Sequence, residues 1–265
     1  MPEGDTIWRT ADRLRPALAG KTIARFEAPR LVAAGPTPGT EIESVEAKGK
    51  YLLVHFGDGT TLETHMKMSG SWHLYRSGER WLRSRSSVRA VIETTEGWIA
   101  VCFNAPVVEL VARRSGPNHL GPDLTAPDPD LAMAVERFSL ADPGTPIGVV
   151  LLDQRICCGV GNVYKSEVMH ARRLAPQTPV CDVDFDLRRD LVDTAHRLLR
   201  ANLGSDRRAT VPGGLAVYGR SGKPCPRCGR AIQRIVQGEH ARSTYWCVGC
   251  QHHPASPRRS RSGHE

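Results

Sequence analysis

The chain has 265 residues, 40% of them in the AVILMFWYC class, and 36 Lys+Arg against 28 Asp+Glu give a net charge of +8. That apolar share excludes a wholly disordered chain, and apolar runs such as Gly148–Leu152, far short of a bilayer span, exclude a membrane-spanning helix. The basic balance favours a polyanionic partner, and the start, Met1-Pro-Glu-Gly-Asp5, has no secretory apolar region, so a cytoplasmic location is expected.

Residues 5–20 predict a helix, with Asp5 or Thr6 as cap, Ile7, Ala11, Leu14 and Leu18 on one face, and Gly20 as the stop. From Thr22 to Arg113 the pattern becomes short and alternating. Tyr51–Phe56, Thr60–Met66, Val88–Thr94 and Trp98–Phe103 predict strands, with turns at Gly57-Asp-Gly59 and Glu96-Gly97. Such spacing predicts an antiparallel β-sandwich or barrel. Residues 116–130, rich in Gly and Pro, read as a linker. A helical period follows over Leu131–Phe138, Ile147–Asp153, Val163–Arg172 and Leu187–Leu203. The expected organisation is an α+β multidomain chain. Residues 1–115 form a helix and sandwich, 131–216 a helical domain, 217–252 a metal module, and 253–265 a disordered basic tail.

Half of the eight cysteines form two pairs, Cys225/Cys228 and Cys247/Cys250, with residues 229–246 between them. Two such knuckles on a hairpin supply four thiolates to one tetrahedral Zn²⁺, a structural site because no position is left open. A redox dithiol is the competing reading, and paired knuckles in register argue against it. Gly159-Val-Gly161-Asn162 opens a helix whose free N–H groups suit an anion, with Asn162 either capping or donating to it. A dinucleotide fold would need a third Gly and a preceding strand, and both are missing. Pro2 becomes a secondary amine at the chain end once the initiator Met is removed. An α-amine is partly deprotonated near neutral pH and attacks aldehyde-like carbon, and Glu3 beside it can move protons.

Motifs along nearly the whole chain carry a resemblance. They are Met1-Pro-Glu-Gly4, Lys48-Gly-Lys50-Tyr-Leu-Leu-Val54, His65-Met-Lys-Met-Ser-Gly-Ser71, Leu151-Leu-Asp-Gln154, Gly159–Tyr164, Val217-Tyr-Gly-Arg220 and Ala241-Arg-Ser-Thr-Tyr-Trp-Cys247. In this order they resemble the formamidopyrimidine-DNA glycosylase/endonuclease VIII family. The resemblance implies an N-terminal helix and β-sandwich, a helix–two-turn–helix domain and a C-terminal zinc-ribbon finger, with damaged double-stranded DNA in the cleft. It implies Pro2 as Schiff-base nucleophile, Glu3 as proton donor and Lys50 as general acid on the sugar–phosphate. His65, Asn162 and Arg242 match phosphate contacts, and Met68 matches the residue inserted where the base flips out. Cys225, Cys228, Cys247 and Cys250 match the zinc ligands.

The implied activity is base excision repair by a bifunctional DNA glycosylase and abasic-site lyase, acting by β,δ-elimination. The enzyme is expected to be a bacterial, nucleoid-associated monomer that needs no nucleotide cofactor. Gly4 and the arginine-free stretch Phe103-Asn-Ala-Pro-Val-Val-Glu109 resemble the endonuclease VIII branch, implying oxidised pyrimidines over 8-oxoguanine. Two departures stand out: Asp5-Thr6 replaces the family's Pro-Glu, and Gly148 stands where many members carry a phosphate-binding lysine. Either the second carboxylate has moved to Asp5 or it is absent, which would favour a lyase weak on intact damaged bases. A DNA-binding protein without chemistry is the alternative of another class.

Overall fold

The computed structural model describes residues 2–31, 35–112 and 117–254. The first apolar stripe forms α1 (Gly4–Leu18), whose Ile7, Ala11, Leu14 and Leu18 are buried, and the chain turns away through Gly20 at φ +72°. The helix starts one residue before Asp5, and its N-cap is Glu3 rather than Asp5 or Thr6. Glu3 makes no side-chain bond to its own helix.

Eight strands follow: β1 (Lys21–Glu27), β2 (Glu41–Lys48), β3 (Tyr51–Phe56), β4 (Thr60–His65), β5 (Ser71–Arg76), β6 (Val88–Thr94), β7 (Trp98–Phe103) and β8 (Val107–Ala112). They pair antiparallel in the order β5-β7-β6-β1-β2-β3-β4-β8. β1 is the corner. Lys21 and Thr22 pair with β2, then Ile23 to Glu27 pair with β6 across a register shift. A strand that changes partners in this way folds one sheet into two facing layers. Leu52, Val54 and Leu62 from one layer and Trp72, Ile92 and Cys102 from the other share a core with α1.

The helical part comprises α2 (Leu131–Glu136), a 3₁₀ turn (Arg137–Leu140), the single turn α3 (Ile147–Val150), α4 (Asn162–Ala171) and α5 (Phe185–Ala201). Asp130 and Asp184 each accept the N–H three residues on, at 2.8 Å, and so place the starts of α2 and α5. Residues 120–125 of the stretch expected as a linker are packed against the rest of the chain. Leu124 belongs to the helical core, and a Cβ on Gly121 would lie 2.4 Å from the Ile156 carbonyl. Gly121 serves close approach there; residues 113–116 lie outside the described residues.

β9 (Gln233–Gln237) and β10 (Arg242–Trp246) form the terminal hairpin, flanked by the four cysteines. Glu167 of α4 ties this module to the helices, accepting the N–H groups of Ala216, Val217 and Tyr218 at 2.9, 2.9 and 2.8 Å. Of the expected disordered tail, residues 255–265 lie outside the described residues; at its first residue, His253 Nδ1 is 3.0 Å from Thr178 Oγ1. No described helix is long and apolar enough to cross a membrane.

Candidate active site

Two helix starts from distant parts of the sequence meet at Glu3. Its carboxylate is fully buried and accepts N–H groups at the start of α4: Gly161 at 2.9 Å, Val163 at 2.9 Å and Tyr164 at 3.3 Å. Glu3 therefore caps α4 from another domain, a role that the side chain of Asn162 does not fill, since the N-cap is Gly161. The fit demands glycine twice. A Cβ on Gly161 would lie 2.4 Å from Glu3 Cδ, and one on Gly4 would lie 2.7 Å from Thr125 Cγ2 and 2.9 Å from Gly159 Cα. Gly4 N–H also donates to the Gly159 carbonyl at 2.9 Å. Burial raises the Glu3 carboxyl above its ordinary range, against the pull of Arg208, Lys50 and the helix N–H groups. Pro2, immediately before Glu3, is half-buried.

Lys50 follows the β2–β3 turn at Gly49, whose φ is +60°. Gly49 N–H donates to Asp123 Oδ2 at 2.8 Å, and a Cβ at this glycine would lie 2.8 Å from Cys158 Sγ. The sheet turn is thus docked on the helical domain. Burial lowers the Lys50 pKa, Glu3 opposes this, and the charge of Arg242 adds to it. Arg242, the exposed first residue of β10, therefore acts electrostatically in the same cluster although its module is the farthest along the chain.

His65 ends β4 and meets Tyr51 edge-on, with ring centroids 4.9 Å apart. Burial, then Lys50 and Lys67, push its pKa down to about 4, so the ring is neutral. Nδ1 accepts the Lys67 N–H at 3.1 Å, which leaves the proton on Nε2 as the donor. Met68 is 70% exposed, whereas Met66 is in the core. Lys67 at φ +43° and the contact of Gly70 with the Ala105 backbone shape the turn that presents Met68. Asn162 is buried, and its Oδ1 has no hydrogen-bond partner among the described residues.

The sulfurs of Cys225, Cys228, Cys247 and Cys250 lie within 4.8 Å of one another, with Cys225–Cys250 at 3.8 Å and Cys228–Cys247 at 3.4 Å. Zn–S bonds of about 2.3 Å in a tetrahedron require sulfurs about 3.8 Å apart. Four thiol donors at this spacing fit the ion.

Three family models tile the chain: the formamidopyrimidine-DNA glycosylase N-terminal domain over residues 1–105, its H2TH (helix–two-turn–helix) domain over 120–211, and the zinc finger found in FPG and IleRS over 222–252. The chain belongs to the formamidopyrimidine-DNA glycosylase/endonuclease VIII family. It is 39% identical to a probable endonuclease 8 2 of Streptomyces coelicolor, over 99% of this chain and 98% of that one. It is 36% identical to the DNA-(apurinic or apyrimidinic site) lyase Nei2 of Mycolicibacterium smegmatis, over 95% and 99%. Its fold matches Lactococcus lactis Fpg, solved with abasic-site DNA, at a TM-score of 0.80, 23% identity and coverage of 94% and 99%.

Within this family the departure at Asp5 has a structural resolution. Asp5 is fully buried and gripped by Arg208, with Nε to Oδ2 at 2.7 Å and Nη2 to Oδ1 at 2.6 Å, while Tyr164 Oη donates to Oδ2 at 3.1 Å. These contacts and Arg9 hold its pKa below the ordinary range despite burial. Asp5 is thus a buried anion paired with Arg208. Arg208 escapes a sequence reading because its partner lies 203 positions away and nothing local marks it. At Gly148, a Cβ would lie 2.5 Å from Gln237 Oε1, and Gln237 Nε2 donates to the Pro176 carbonyl at 2.9 Å. The glutamine occupies the space a longer side chain would cross.

Proposed function

We propose that this enzyme is a bifunctional DNA glycosylase and abasic-site lyase of the endonuclease VIII branch, excising oxidised pyrimidines such as thymine glycol from duplex DNA. The observation that carries the reading is the buried Glu3 carboxyl, seated on the start of α4 beside Pro2 and within the field of Lys50. With Met1 removed, the Pro2 nitrogen attacks C1′ of a flipped-out nucleotide. The N–C1′ bond forms, the glycosidic bond breaks, and the base leaves with its electron pair. O4′ takes the Glu3 proton as the C1′–O4′ bond opens, and the amine proton passes to solvent, leaving C1′ as an iminium. Loss of the acidified C2′ proton then breaks the C3′–O bond, and a second elimination breaks C5′–O, leaving a one-nucleotide gap with phosphate ends.

Lys50, Asn162 and Arg242 hold the phosphates around the lesion, neutral His65 donates through Nε2–H, and Met68 fills the vacated space. Zinc, when bound, fixes the hairpin that carries Arg242. Gly4 and the arginine-free stretch 103–109 support pyrimidine over purine lesions. The occupied carboxylate of Asp5, with Thr6 beside it, favours a second reading in which abasic-site cleavage outruns base excision. The name of the Mycolicibacterium relative points the same way.

Borohydride trapping on duplexes bearing thymine glycol, 8-oxoguanine, uracil or an abasic site, with and without alkaline workup, separates these readings. Expected are a covalent adduct with abasic DNA and strand cleavage at thymine glycol without alkali. Pro2→Gly should sharply reduce the adduct. Glu3→Gln should reduce base excision by about 10²–10⁴-fold while sparing abasic DNA. Tight binding with no adduct would leave a DNA-binding protein in its place.

A further inference from the structure

Lys165 lies on α4, three residues past Asn162, and is fully buried, with no hydrogen-bond partner for Nζ among the described residues. The charges acting on it are Arg242, Glu3 and Lys50. Two of these are cations, and the one carboxyl, Glu3, already has its two oxygens occupied by the N–H groups of Gly161, Val163 and Tyr164 and is also within the field of Arg208. α4 packs against β10 here, with the Tyr245 N–H reaching Ser166 Oγ at 3.3 Å. Across this seam the Asn162 Oδ1 and Thr244 Oγ1 atoms are also buried and without partners among the described residues. A buried ammonium that the fold leaves uncompensated costs stability unless something outside the chain repays it.

We infer that Lys165 is a further phosphate ligand, completing with Asn162 and Arg242 an anion site in the α4–β10 seam for the backbone of the lesion strand. Burial and the neighbouring cations lower its pKa to about 8, as suits an amine waiting for its anion. The four-carbon stem lets Nζ follow a phosphate drawn in by Arg242. The site also offers an anchor in a chain that has Gly148 where a lysine often stands. The inference rests on the proposed DNA-repair reading.

The test compares wild type with Lys165→Met and Lys165→Arg on a duplex carrying a tetrahydrofuran abasic analogue, between 50 and 200 mM salt (about the range over which phosphate contacts are resolved). Lys165→Met removes a charge without changing the shape much, so Tm should hold or rise. Affinity at the low-salt end should fall about tenfold, and the slope of log K against log salt should shrink by about one unit, with Lys165→Arg restoring most of it. An unchanged slope overturns the inference whatever happens to Tm, and a lower Tm with that slope makes Lys165 a structural lysine. Wild type that fails to prefer the abasic analogue over intact duplex would instead overturn the DNA-repair reading itself.

Discussion

Asp5 and Arg208 form a buried ion pair next to Glu3 at the candidate active site. Both side chains are largely withdrawn from water, at 0% and 15% exposure, so removing one leaves the other uncompensated. Arg208→Met should cost about 3–5 kcal/mol at pH 7 by urea unfolding. The pH dependence has a defined sign. Because the folded carboxyl is depressed, the stabilisation is complete above the unfolded-state pKa of about 3.9 and is lost as pH falls through the lower folded value. The gap between wild type and Arg208→Met should therefore narrow towards pH 3. A gap of constant size would show that the guanidinium acts by packing alone.

At the scale of elements, the decisive contact is one helix start capped by a residue just ahead of another. Glu3 supplies to α4 what a local Asp supplies to α2 and α5, and the same burial raises its carboxyl pKa. Gly161 makes this possible by size and not by backbone freedom, since its φ of −128° is open to any residue. Gly161→Ala should therefore push Glu3 off the helix, costing about 1–3 kcal/mol. Base excision should fall as far as in Glu3→Gln, while zinc content and the far-UV spectrum stay unchanged. Retention of full excision activity would mean that Glu3 works from some other position.

At the scale of the whole molecule, three bodies contribute to one cluster: Glu3 and Lys50 from the sheet domain, Asn162 and Lys165 from the helices, and Arg242 from the hairpin. The hairpin's own core is small, and the four cysteines flanking it are suited to a zinc ion that would hold it. Metal analysis should find one zinc per chain. Chelation, or Cys247→Ser, should weaken duplex binding by at least about tenfold, since the hairpin cation is lost. Adduct formation on a short abasic single strand at saturating concentration should change far less. Equal duplex affinity with and without metal would detach Arg242 from DNA binding.

The sequence by itself determined the features that rest on neighbours along the chain. The apolar stripe of Ile7, Ala11, Leu14 and Leu18, the hairpin at Gly57–Gly59 and the two cysteine pairs each follow from local spacing. The motif order carried the family and its candidate residues. Local signals could not set the start of α1, the partner exchange of β1, or the packing of Leu124 into the helical core. Nor could they reveal that Asp5 belongs to Arg208, that Glu3 belongs to α4, or that Lys165 Nζ is buried without a hydrogen-bond partner among the described residues. Those features depend on burial and on charges brought together from positions more than a hundred residues apart. Only the closing of the domains on one another sets the desolvation and the fields that decide them.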